Sequence, residues 1–293
     1  DRVHHIVVNP TYMEPLHTLK RTLKGLSKQT FPRKNLTIVL GFEKREGAKG
    51  RDKAKRLLKE FDGVFGNLIT TFHPDLKGEV KGKSSNTAWA AKIAKKLLID
   101  KQGKDINYCT ITSNDADAIL HPHYFSYLSF KFLDDPKRYE RIWQSAIHFY
   151  NNIWKLPVLT RTFNRISSVV ATGILMRKDR LINFSTYSIS LKLVDDIGYW
   201  DVDVIPEDYR MFFKAFYATS GRVEVEPIFL PSFADAAEAH GFWNTMTNQY
   251  EQIKRWAWGV SDDSYIIFKW LTVPNMPFWE KSIRSFFVVK DHI

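Results

Sequence analysis

The stretch TITSNDADAIL, residues 110–120, decides the fold. Its first four residues read as a strand, and the strand runs into Asp115-Ala116-Asp117. Residues two apart in extended chain point the same way, which predicts both carboxylates on one side at the carboxyl end of that strand. Open α/β sheets bind ligands at that end. Two like charges so close repel unless a cation, a sugar hydroxyl or a proton intervenes. A hard divalent cation bridging to a diphosphate suits the pair. A solvated loop with a helix-capping aspartate suits the same residues, and Asp-x-Asp is a common pattern.

Upstream of this stretch, strands and helices alternate. HHIVVNP (4–10) reads as a buried strand ended by Pro10, NLTIVLGF (35–42) as a second strand and NLITTFHP (67–74) as a third. Between them EPLHTLKRTLKGLSKQ (14–29) has helical apolar spacing at Leu16, Leu19, Leu23 and Leu26, and AKGRDKAKRLLKEF (48–61) reads as a basic helix. NTAWAAKIAKKLLID (86–100) is a further helix, with Ser84 or Ser85 as its expected cap. This alternation implies an α/β fold with a mostly parallel central sheet and helices on both faces. After Asp117 the rhythm loosens. HPHYFSYLSFKFLDD (121–135) looks helical, RIWQSAIHFY (141–150) extended, and SSVVATGILMRKDRL (167–181) like a strand entering a helix. PEDYRMFFKAFYATSG (206–221) is a helix with Pro206 near its start and Gly221 as its stop, and RVEVEPIFLP (222–231) is a strand.

Composition bounds the function. The chain has 293 residues, 44% hydrophobic and 26% charged, which fits a globular protein with a large core. Its one cysteine, Cys109, excludes an intramolecular disulfide and a cysteine zinc cage, and fits a reducing compartment. A net charge of +11 favours anionic partners: nucleotide phosphates, nucleic acid or an anionic membrane surface. No signal peptide is visible, and no apolar run approaches the ~18 residues of a membrane span. A sequence starting at Asp1 rather than Met is expected to be part of a longer protein.

Three further constellations carry chemistry. In VIPEDYRMFF (204–213), Glu207 and Asp208 fall in the first helical turn. Acids there favour the helix dipole, and the same position suits a general base facing a cleft. In KGEVKGKSSNTAWAA (77–91), Lys83 beside Gly82 and a capped helix start is placed to meet a phosphate or to serve structure alone. The stretch lacks the P-loop pattern, which excludes a Walker-type ATPase. In NQYEQIKRWAWG (248–259), Gln252, Arg255 and Trp256 share one helical face. An Arg fork suits a diphosphate, and an indole suits a sugar face. Ile253 and Trp258 lie elsewhere on the wheel and are expected to pack. The other reading is a surface helix with its tryptophans turned inward.

The order NPTYMEP (9–15), Asp-x-Asp, Glu-Asp, Gln-x-x-Arg-Trp resembles glycosyltransferase family 2, and within it the membrane-embedded cellulose, chitin and hyaluronan synthases, over roughly residues 5–260. The resemblance implies a GT-A fold over residues 1–263, acting on a nucleotide-sugar, with UDP the expected nucleotide. By it, Pro10 and Tyr12 line the uridine end with Glu14 nearby, and Glu43 stands where the family places a base-contacting Asp. Asp117 holds Mg²⁺ or Mn²⁺, and Asp115 sits at the ribose or metal. Asp208 deprotonates the acceptor in an inverting displacement, while Gln252, Arg255 and Trp256 serve the leaving group and acceptor mouth. The acceptor is expected to be a glycan or a lipid, at the cytosolic face of a membrane reached through flanking segments (the inner membrane in a bacterium). Residues 264–293, with Lys269, Lys281 and Arg284 among aromatics, resemble an interfacial helix or a helix packed on the domain. A single-sugar lipid glycosyltransferase is the nearest rival. A basic nucleic-acid-binding module explains the charge but not the ordered carboxylates, so nucleic acid is not an expected partner.

Overall fold

The computed structural model describes residues 2–274 and 276–292, without the side chains of residues 291 and 292. Its elements run β1 (His4–Thr11), α1 (Leu16–Ser27), β2 (Leu36–Glu43), α2 (Gly47–Glu60), β3 (Asn67–His73), α3 (Lys83–Lys95), β4 (Cys109–Ser113), β5 (Ile119–Leu120) and α4 (Tyr124–Asp134). They continue as β6 (Arg141–Phe149), α5 (Val158–Leu175), β7 (Tyr187–Ser190), α6 (Leu191–Asp196), α7 (Glu207–Ala218), β8 (Glu224–Ala234), α8 (Phe242–Ala257), α9 (Asp263–Thr272) and α10 (Phe278–His292). One sheet has the order β3-β2-β1-β4-β7-β6-β8-β5. The β3-β2-β1-β4 half is parallel, and β7 turns the direction by pairing antiparallel to both β4 and β6. β1, β2 and β4 are buried almost throughout, as parallel strands covered on both faces must be. One face packs under α1, α2 and α4 through Leu19, Leu23, Leu57 and Phe125. The other packs under α3, α6 and α7 through Ala91, Val194, Phe212 and Phe216.

Several local expectations are corrected. Pro10 lies inside β1, paired with Gly41. The β4 partner has already stopped at the Val8–Ser113 pair, so one flank of Pro10 has no ladder to interrupt. Neither Ser84 nor Ser85 caps α3. The helix starts at Lys83, and the two hydroxyls donate instead to Asp201 O at 2.5 Å and Val80 O at 2.8 Å. SSVVATGIL is not a strand but the second half of α5. That helix buries a narrow, mostly polar stripe, Thr160, Asn164, Ser168 and Leu175, and turns Val169, Val170 and Ile174 to the outside. The β-branched run suggested a strand because the apolar side of this helix faces away from the core. At the end of α7, Gly221 is the expected stop: with φ +86° its N–H closes on Phe216 O at 2.8 Å.

The C-terminal region forms two helices rather than one. Ile266, Met276 and Val288 join the α7 side of the core, and the Tyr217 hydroxyl donates to Ile266 O at 3.1 Å. Lys281 donates to Trp270 O and Val273 O at the end of α9, so it caps a helix rather than facing outward. Among the described residues no helix is long and apolar enough to cross a membrane.

Candidate active site

β4 stops at Ser113, and Asp115 to Ala118 form a tight turn closed by Ala118 N–H on Asp115 O at 3.0 Å. A turn and not extended chain therefore places the two carboxylates. Asp115 turns towards Lys83, whose Nζ lies 2.7 Å from Asp115 Oδ1. Asp117 Oδ2 accepts the Asp235 N–H at 2.7 Å. Asp235 in turn clamps Arg21 with both carboxylate oxygens, at 2.6 and 2.7 Å. The Thr22 hydroxyl of α1 donates to Ala116 O at 2.7 Å and fixes the turn from behind.

Lys83 was expected at a phosphate or in a purely structural place. It bridges carboxylates instead: its ammonium lies 2.7 Å from Glu207 Oε1 as well as from Asp115, and donates to Ser185 O at 2.8 Å. The ammonium thus makes one hydrogen bond, to Ser185 O, and two ion pairs. Burial would lower the Lys83 pKa, but Asp115, Glu207 and Asp208 hold it well above the usual lysine value. Burial pushes Asp115 up, and Lys83 overrides it to hold that carboxyl below its ordinary value. Glu207 goes the other way: burial raises it to about 7 despite Lys83. Asp117 is also pushed up to about 7, by burial and by the Asp115 charge. Glu14 is raised by burial and by Asp235 and lies at the same cluster.

Ser185 is the residue sequence reasoning missed. It adopts φ +56°, a left-handed conformation uncommon for serine, and joins three site residues at once. Its N–H donates to Asp208 Oδ2 at 2.8 Å, its hydroxyl donates to Asp115 Oδ2, and its carbonyl accepts from Lys83. Asp208 is thus aimed by a backbone bond and is less buried than Glu207. Nothing in NFSTYSIS (183–190) announces a positive-φ hub.

At the outer ends of β1 and β2, Arg45 stacks over Tyr12 at 3.8 Å from the ring centroid. Glu43 is buried below, 3.4 Å from His73 Nδ1, and His73 Nε2 lies 2.7 Å from Glu79. Pro10, Tyr12 and Glu43 therefore do gather at one corner of the sheet end.

The Gln252, Arg255 and Trp256 patch stands apart. Among the described residues no hydrogen bond or ion pair joins it to the carboxylates. α8 is held to α5 by a polar seam, Asn164 Nδ2 to Gln249 Oε1 at 2.7 Å, and Gln252 accepts from Gln249 at 3.2 Å. Trp256 leans on Phe149, with ring centroids 5.8 Å apart, and Arg255 is exposed. Ile253 and Trp258 do not do the packing: they are 37% and 44% exposed, because Thr245 and Gln249 take the inward face. Just beyond α8, Asp262 accepts both Arg210 Nε and Nη2, at 2.9 and 2.7 Å, which draws this end of the helix back to α7.

The turn after β4, Lys83 and the start of α7 thus meet at the carboxyl end of the parallel half of the sheet. The sequence model of glycosyl transferase family group 2 matches residues 110–291, and the chain belongs to that family. It is a glycosyltransferase. The fold is similar to that of S. aureus TarS 1-349, with TM-score 0.58 and 14% identity over 99% of this chain and 71% of that one. TarS 1-349 in complex with UDP-GlcNAc gives 0.56 and 15% over 98% and 72%. Mannosyltransferase PcManGT from Pyrobaculum calidifontis, in complex with GDP-Man and Mn²⁺, gives 0.57 and 13% over 100% and 73%. Among curated proteins there is no significant sequence match.

Proposed function

We propose that the chain moves a sugar from a UDP-sugar to a hydroxyl of a glycan or lipid acceptor, with inversion at the anomeric carbon. The observation that carries this is the division of labour between neighbouring carboxylates. Glu207 is spent on Lys83, while Asp208 is aimed by Ser185 N–H and left more accessible. Asp208 is therefore the general base. The acceptor oxygen bonds to the anomeric carbon, the bond to the diphosphate oxygen breaks, and the acceptor proton passes to Asp208. Arg255 offsets the charge on the departing diphosphate with its planar fork.

Asp117, assisted by Asp115, would hold Mg²⁺ or Mn²⁺. The fit is chemical: Asp117 is a hard oxygen donor whose pKa is raised to about 7 by burial and the Asp115 charge, which a cation would relieve. Among the described residues no group of three or more His, Cys, Asp or Glu could hold a metal ion, and donor oxygens would be needed to complete the set. The ion supplies charge neutralisation on the diphosphate. PcManGT with GDP-Man and Mn²⁺ supports this reading. Tyr12 and Glu43 receive the base. The exposed apolar residues of the C-terminal helices, among them Leu271, Trp279 and Phe286, support placing residues 264–293 at the cytosolic surface of a membrane.

Incubation with a panel of nucleotide-sugars and acceptors, scored by released nucleoside diphosphate, tests the proposal. UDP-sugars should turn over, excess EDTA should abolish the release, and Mn²⁺ or Mg²⁺ should restore it. Full turnover in chelator removes the metal from the mechanism, and no release from any donor removes the proposed reaction.

Arg255→Ala should abolish transfer with little change in melting temperature, because the side chain is exposed. Arg255→Lys should rescue poorly, since a point charge cannot replace a bidentate fork. Lys254→Ala, which gives up only an exposed pairing with Glu251 at 3.7 Å, should be nearly silent. A large loss of stability with full activity in the folded fraction of Arg255→Ala would make α8 a structural helix.

A further inference from the structure

A groove of about 520 Å³ runs beside the site, between α1 and the β5 edge of the sheet. One wall is a stripe of α1 and its C-cap: His17, Arg21, Lys24 and Lys28 recur at i, i+4, i+7 and i+11. That spacing keeps them on one helical face, over about 16 Å at 1.5 Å per residue. The floor is apolar, built by Ile119 and Phe233. The cations are not all spent internally. Arg21 is held by Asp235 and Lys20 by Glu60 at 2.5 Å, but Lys24 and Lys28 are exposed and have no carboxylate partner among the described residues.

The inner end of this groove abuts the reacting centre. Asp235 offers its carboxylate to Arg21 and its N–H to Asp117 Oδ2, so one residue touches both the groove wall and the Asp-x-Asp turn. Thr22, on the buried side of the same helix, holds Ala116 O. An occupant lying along α1 therefore passes Arg21, one residue removed from Asp117.

We propose that this groove binds the acceptor, and that the acceptor is a polyanionic, hydroxyl-bearing chain with phosphodiester or carboxylate groups at intervals. The inference rests on the glycosyltransferase reading above and names the acceptor class. Cations about 5–6 Å apart along one wall match anionic groups repeated along a chain. The apolar floor covers the carbon side of that chain. The donor diphosphate is already accounted for at the Asp-x-Asp turn. Grooves for single-stranded nucleic acid interleave cations with aromatic stacking platforms, and this floor offers Phe233 among aliphatic Ile119, Leu120 and Pro122.

The test pairs the double reversal Lys24→Glu/Lys28→Glu with a charge-matched control, Lys55→Glu/Lys59→Glu, on the exposed side of α2. The probe is labelled inorganic polyphosphate of defined length, read by anisotropy at several salt concentrations, with neutral dextran alongside. Wild type and control should bind polyphosphate with salt-sensitive affinity and ignore dextran. The groove variant should bind at least about tenfold more weakly, as expected when phosphate-contacting lysines are reversed. In the transfer assay the same variant should raise the KM for an anionic glycan acceptor and not for the donor. Equal weakening by the control variant, or unchanged binding by the groove variant, overturns the proposal. Tighter binding of an oligothymidylate of equal charge assigns the groove to nucleic acid and also overturns it. Polyphosphate binding needs no turnover. A chain that loses polyphosphate on reversal yet releases no nucleoside diphosphate from any donor thus overturns the proposed reaction and the acceptor assignment that rests on it, whereas turnover without groove binding overturns the groove alone.

Discussion

Asp208→Asn is expected to lower turnover by about 10²–10⁴-fold, the usual loss when a general base is removed, while donor affinity stays as in the wild type. Asp208 Oδ2 accepts the Ser185 N–H at 2.8 Å, and Oδ1 lies 3.0 Å from Tyr209 N. An amide keeps the shape and one oxygen for Ser185, so the local fold survives. What it loses is the lone pair that takes the acceptor proton. Glu207→Gln is the informative contrast. Glu207 is buried against Lys83, so its amide should act first on stability. Single-turnover rates on both variants, with donor binding measured separately, decide the assignment. A normal rate in Asp208→Asn beside a dead, folded Glu207→Gln would move the base to Glu207.

The second large effect is expected from Lys83→Met, which keeps the length of the side chain and removes its charge. Two carboxylates, Asp115 and Glu207, each lose a cation at 2.7 Å. Lys83 is 24% exposed, so the cost should fall below the about 3–5 kcal/mol of a fully buried pair broken from one side, with about 2–4 °C of melting temperature per kcal/mol in domains of roughly 150–250 residues. The deficit should depend on pH with a definite sign. Glu207 already has a raised pKa of about 7 against an ordinary 4.5, with Lys83 pulling it down against burial. A raised carboxyl keeps its proton in the folded state, so its contribution to stability falls as pH rises from the unfolded towards the folded value. Without Lys83 the folded value climbs further, and the fall extends above pH 7. Thermal melts of the variant and wild type should therefore converge towards pH 5 and diverge towards pH 8. A variant that melts with the wild type at pH 8 would show that Lys83 does not balance the cluster.

The parallel half of the sheet was legible because β1 and β2 carry apolar runs, Ile6-Val7-Val8 and Ile38-Val39-Leu40, and because α1 buries Leu19, Leu23 and Leu26 at helical spacing. The chemistry-bearing side chains were legible as types: Asp115, Asp117, Glu207 and Asp208 do converge around the carboxyl end of β4. Their orientation was not, because the turn after Ser113 breaks the period-two rule the reading used. Ser185 left no trace, since a positive φ is a property of the surrounding structure and not of a serine. α5 and α8 misled for a shared reason. They meet through Asn164 and Gln249, a polar contact, and put their apolar residues outside, which inverts the usual signal.

The Lys83 junction also governs the order in which the enzyme can come into being. Its partners stand at 115, 185 and 207, on the β4 turn, before β7 and at the start of α7. A chain emerging from the ribosome can complete the β3-β2-β1-β4 half before residue 185 exists, with Asp115 the only one of the three at hand for the buried ammonium. The cluster closes only when sequence-distant halves dock, and contacts of such separation form slowly because loop-closure entropy opposes them first. Completion of the cluster is thereby postponed until α7 is in place, and a truncated chain carries Lys83 with Asp115 as its one carboxylate partner.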